Sequence, residues 1–142
     1  MSASPSPSAQ SIAKQSVDKT PFTVWLFFAL AWLMGGWFIY DSLHQRITGD
    51  YVRIGGQLGP WARLVSAVGL DPASLVWLFL ILGHAFIAAS FTVYLRRRWG
   101  YHLALVASAL SLLYLGFGTP LALICLILLL VKPTRRYVTE GG

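Results

Sequence analysis

The sequence predicts an all-α integral membrane protein with four transmembrane helices, the last two a short helical hairpin, plus one short interfacial helix. Three observations carry that prediction. The apolar residues lie in long runs, the cations sit just outside those runs, and only 11% of the chain is charged. A soluble domain carries roughly 25% charged residues. A chain that is 56% hydrophobic, with a mean hydropathy of +0.65, cannot cover a soluble surface. In lipid the same runs are simply solvated. A membrane β-barrel would need segments of about ten residues that alternate apolar and polar, and these runs do not alternate.

Residues 1–20 are rich in Ser, Pro, Ala and Gln. They bury too little apolar surface to fold alone and read as a disordered or extended cytoplasmic tail. A cleaved signal peptide is not expected, because the apolar run that follows is too long for an h-region and no small-residue cleavage site follows it. From residue 21 to 138 the chain reads as a single four-helix transmembrane domain.

The first span is predicted over residues 22–40. Thr20 and Pro21 suit a helix start, with a side-chain oxygen to cap free N–H groups and a proline that needs no donor. The span's 19 residues reach about 28 Å, enough to cross the hydrocarbon core. Trp37, Phe38 and Tyr40 make an aromatic end for it at one interface. Residues 41–74 form the one substantial polar loop, broken by Gly49, Gly55, Gly56, Gly59 and Pro60. Inside it, Trp61, Leu64, Val65 and Val68 recur at helical spacing, which predicts an interfacial helix over residues 60–68.

The second span is expected over residues 75–95, after Asp71 and Pro72 repeat the cap-then-proline start, and Arg96, Arg97 and Arg98 close it. The apolar stretch from Trp99 to Val131 then has 33 residues, about 50 Å as one helix, far more than a crossing needs. Gly116, Gly118, Thr119 and Pro120 interrupt it. Two short antiparallel helices, over residues 99–115 and 120–131, therefore form a hairpin. Charge supports the hairpin independently. With four spans and both termini cytoplasmic, Lys14, Lys19, Arg96, Arg97, Arg98, Lys132, Arg135 and Arg136 share the cytoplasmic side, against Arg46, Arg53 and Arg63 opposite. Three spans would make the two sides nearly equal, so the positive-inside bias favours four.

The net charge of +6 does not indicate nucleic acid, because the cations flank spans and no basic helix face with interleaved aromatics occurs. Cys125 is the single cysteine and excludes an intrachain disulfide.

Among candidate functional residues His84 is the sharpest, since an ionisable side chain near the middle of a span is expensive. Two readings stay open: a neutral His bonded within the helix bundle, or an axial ligand for haem or a chlorophyll-type pigment. A second His at similar depth is lacking, and the pattern otherwise implies no cofactor. Arg96, Arg97, Arg98, Arg135 and Arg136 serve either topology or contact with lipid headgroups. No carboxylate pair lies within an expected span: Asp41 and the other acidic residues fall at ends or in loops. Ser108 and Ser111 have no His or Lys one turn away to activate them, so no enzyme is expected, and no metal site either. Ala31 and Gly35, Ala85 and Ala89, Ala104 and Ser108, and Ala107 and Ser111 each fall four apart and give close-packing faces to the first three spans. The fourth span is bulky and apolar all round, suited to face lipid or a partner.

The runs RRRWGYHLAL, SLLYLGFGTPLAL and LLLVKPTRRY resemble those of small, uncharacterised four-helix membrane proteins of bacteria, over about residues 70–138. The resemblance implies a bacterial inner membrane and supports the hairpin; it brings no site residues. The expected function is a non-catalytic accessory or structural subunit of a larger membrane complex, respiratory or photosynthetic, with the bilayer and other membrane subunits as partners. A haem or pigment carrier, a free-standing lipid-organising protein and a small transporter are the competing classes.

Overall fold

A computed structural model describes residues 20–53, 59–116 and 118–140, which form six α-helices and one 3₁₀ turn. The expected tail, with Lys14 and Lys19, lies outside the described residues apart from Thr20, as do Gly55 and Gly56. The helices are α1 (Phe22–Thr48), α2 (Pro60–Ala67), α3 (Val76–Tyr94, entered through the 3₁₀ turn Pro72–Leu75), α4 (Arg98–Ser111), α5 (Gly118–Leu130) and α6 (Lys132–Thr139). α1 packs along α3, α3 along α4, α4 along α5, and α5 closes the ring against α1. The core is the inside of that ring: Phe27, Ala31, Met34 and Phe38 of α1 meet Phe86, Ala89 and Val93 of α3, Ala104 and Ala107 of α4, and Ala122, Cys125 and Leu129 of α5. Two segments, Phe22–Thr48 and Pro72–Tyr94, are long and apolar enough to cross a membrane, and α5 is a shorter apolar helix.

The first helix runs eight residues beyond its expected end at residue 40. Hydropathy falls at Asp41, which suggests a loop, but no Gly or Pro occurs until Gly49. There the chain takes the left-handed conformation (φ 81°), and the Gly49 N–H donates to the Gln45 carbonyl, the usual glycine ending of a helix. The Thr20 hydroxyl does not cap α1 as expected; it bonds the Tyr137 hydroxyl at 3.2 Å. The Asp71 expectation does hold, because its carboxylate accepts the Ala73 N–H at 3.0 Å. α4 ends at Ser111 rather than residue 115. α5 begins at Gly118, so Thr119 lies inside the helix and donates back to the carbonyls of Leu112 and Tyr114. α5 is apolar all round as expected, and it turns Ala122, Cys125 and Leu129 to the core.

α4 and α5, with 14 and 13 residues, reach only about 20 Å each. Their connecting turn therefore stops short of the α1 end, and α2 fills the recess. Pro60 packs on Gly116, and the indole of Trp61 stacks on Tyr114 at 5.3 Å between ring centroids. Residues 60–67 do form the expected short helix, but Trp61 and Ala62 are buried in the bundle's end. At the opposite end the chain turns at Val131, and Pro133, which has no N–H to continue α5, stands in the first turn of α6. This helix was not expected. It folds back across the bundle: Thr134 donates to the Thr23 hydroxyl at 2.8 Å, and the Tyr137 hydroxyl donates to the Tyr94 carbonyl at 3.0 Å.

Candidate functional site

The end of the bundle beneath α2 holds a buried carboxylate. The added turns of α1 carry Asp41 inward on the same face as Phe38, and only 1% of its surface is exposed. One carboxylate oxygen accepts the Val52 N–H at 2.8 Å, and the other accepts the Tyr114 hydroxyl at 2.9 Å. The Trp37 indole N–H, one helical turn before Asp41, donates to the Tyr114 oxygen at 3.4 Å. Aromatic rings enclose this network. Tyr114 meets Phe38 and Phe79 edge-on at 5.1 and 5.2 Å, and Trp61 meets Tyr51 edge-on at 5.0 Å. The Tyr51 hydroxyl donates to the Pro72 carbonyl at 3.0 Å, and burial pushes its proton affinity well above that of an ordinary tyrosine.

Removing a carboxylate from water is costly unless hydrogen bonds replace its hydration. Here both oxygens have donors, each from a different part of the chain, so Asp41 ties α1 to the segment after it and to the α4–α5 turn. The arrangement binds chain to chain. No local pattern marks it: Tyr114 lies 73 positions from Asp41. The one usable signal was Trp37 and Asp41 at i, i+4, an indole donor and a carboxylate on one helix face.

The residues singled out from sequence fall elsewhere. His84 lies on the exposed side of α3, and its Nδ1 is 2.8 Å from the Leu80 carbonyl of the same helix. No three His, Cys, Asp or Glu side chains converge among the described residues. Ala31, Gly35, Ala89, Ala104, Ala107, Ser108 and Ser111 are buried and Ala85 half-buried, all within the chain's own bundle. Gly35 meets the backbone of Gly83, a residue outside the expected set. Arg96, Arg97, Arg98, Arg135 and Arg136 gather at the α6 end. Arg96 takes φ 59° in the position after α3 that glycine usually fills, and its guanidinium lies 4.4 Å from the Tyr137 ring centroid.

A cleft of about 330 Å³ opens between α2, α3 and α4, lined by Leu64, Val68, Leu78, Leu82, Leu110 and Leu113 among others. A shallower groove of about 180 Å³ continues it along α3 and α4, sharing Leu78, Leu82 and Leu110. Both are walled by hydrocarbon. No protein-family model, curated protein or solved structure matches this chain.

Proposed function

We propose that this chain is a non-catalytic accessory subunit of a larger membrane complex, crossing a bacterial inner membrane four times through α1, α3, α4 and α5, with both termini cytoplasmic. The observation that carries the reading is the outer surface of the ring. Trp32, Leu33, Ile81, Phe91, Val106 and Ile127 are exposed on it, on every helix of the bundle, with Ile81 at 66%. Soluble monomers rarely expose contiguous apolar patches of more than a few hundred Å², whereas lipid or a neighbouring subunit solvates such a belt. α2 covers the short α4–α5 hairpin, which supports a complete crossing for helices of about 20 Å.

The cleft under α2 supports the accessory role. It is a concave apolar face of the kind that receives a side chain from a neighbouring helix. The small residues, by contrast, are spent inside the chain, so docking rests on the cleft and not on Ala104 and Ser108. A transporter needs polar groups lining a cavity, and the two cavities described above, between α2, α3 and α4 and along α3 and α4, are apolar. A pigment carrier would have to ligate through a His on the bundle's rim. The test is native-gel migration of the chain at natural expression level after gentle solubilisation. Co-migration with other subunits, lost in Leu82→Trp and Leu110→Trp, is expected. Migration as the 15.7 kDa chain alone or as a small homo-oligomer rejects the accessory role and favours the lipid-organising reading.

A further inference from the structure

The two ends of the bundle differ in charge. At the α2 end Arg46, Arg53 and Arg63 are balanced by Asp41, Asp50 and Asp71, with Arg53 paired to Asp50. At the other end, among the described residues, six cations stand against one carboxylate, Glu140, which lies 3.9 Å from Arg136. These cations come as two groups of three. Arg96 and Arg97 occupy the turn between α3 and α4 and Arg98 opens α4, whereas Lys132, Arg135 and Arg136 lie along α6.

Folding holds the two groups together. Arg98 donates to the Thr139 carbonyl at 3.1 Å, the Arg96 guanidinium lies over Tyr137, and Tyr137 is bonded to Tyr94 at the end of α3. Thr134 and Val138 are buried beneath α6, which turns Lys132, Arg135 and Arg136 outward. Arg97, Lys132 and Arg135 meet no acidic side chain among the described residues. Exposed Leu95 and Trp99 flank the patch, as side chains at a headgroup boundary do. A mobile polybasic tail attracts anionic lipid diffusely. Cations fixed on two packed elements instead favour a ligand whose charges are themselves held at a fixed spacing.

We propose that this end binds a phospholipid carrying two phosphates in one headgroup, one phosphate against each group of cations. The inference rests on the membrane-embedded part of the reading above and is independent of the accessory role. The test uses the full chain in mild detergent, titrated with cardiolipin, with phosphatidylglycerol at matched charge, and with inorganic pyrophosphate, and read by native mass spectrometry. A lipid adduct and a protein partner differ in mass, so failure of this inference and failure of the accessory role are separate results.

Cardiolipin is expected to bind more tightly than phosphatidylglycerol at equal charge, and pyrophosphate is expected not to displace it. Each cation near an anionic surface contributes roughly fivefold, so Arg97→Gln with Lys132→Gln and Arg135→Gln should weaken binding by about a hundredfold. Arg46→Gln with Arg53→Gln at the other end should leave it unchanged. Arg97→Lys with Arg135→Lys should keep most of it, which separates lost charge from lost fold. Equal binding of phosphatidylglycerol, displacement by pyrophosphate, retention in the triple variant, or an acidic protein bound there with no lipid would each overturn the proposal.

Discussion

Gly35 of α1 and Gly83 of α3 face each other at the helix crossing, and a Cβ built on either would lie 2.7 Å from the other's carbonyl oxygen. Two backbones in contact leave no flexible side chain to move aside. This crossing brings Phe38 onto Phe79 and Phe86, with ring centroids 5.7 and 6.3 Å apart. Membrane helices gain little from hydrophobicity when they associate, so such close approach is a main source of their adhesion.

Gly35→Ala and Gly83→Ala should therefore each lower the thermal midpoint of helical circular dichroism in detergent, at a cost of about 1–3 kcal/mol as for overpacking elsewhere. Gly36→Ala is the control, because nothing lies within 4 Å of a Cβ there and alanine is the better helix former. If Gly36→Ala proved as damaging as Gly35→Ala, the crossing would not be where the two glycines place it.

Tyr114→Phe removes the donor to one oxygen of Asp41 and leaves that oxygen buried without a partner, a penalty of about 1–3 kcal/mol. Asp41→Ala abandons the Val52 N–H and the Tyr114 hydroxyl together and should cost more. Because the two residues share one hydrogen bond, the double variant should lose less than the two single losses combined. Strict additivity in the same melting experiment would show the 2.9 Å contact to be energetically idle.

The charge difference between the ends predicts an orientation for the proposed membrane protein. The end with Arg96, Arg97, Arg98, Lys132, Arg135 and Arg136 should stay cytoplasmic under the positive-inside bias. A reporter active only outside the cytoplasm should be silent when fused after Gly142 and active when inserted near Gly55. Activity at the C-terminal fusion would reject four crossings and leave three.

Some elements were legible because a local pattern decides them. The Asp71 and Pro72 start of α3 is one, since the capping oxygen and its N–H partner are two residues apart. The short helix after Gly59 is another, marked by apolar residues at helical spacing. The small residues were legible as buried faces but not as to what they face: Gly35 meets Gly83, and Gly100 packs against Thr92 across the α3–α4 turn. Nor was the length of α1, because hydropathy reports whether a residue suits lipid and not whether the backbone continues. α6 escaped notice for the same reason. Its cations looked like a flanking cluster, and the inward pair Thr134 and Val138 matters only when a bundle end lies beneath it.

By itself the sequence predicted an all-helical fold with four spans and cations set beyond the apolar runs; the described residues are helical, and two of their segments are long and apolar enough to cross a membrane. Those properties follow from solvation, which each stretch of residues obeys independently of the others. The tertiary structure alone decided that Asp41 is buried, that Tyr114 and Val52 satisfy it, and that two distant groups of cations share one end. Each of these depends on residues 11 to 73 positions apart being brought within 3–5 Å, and helix packing sets such distances where local sequence cannot.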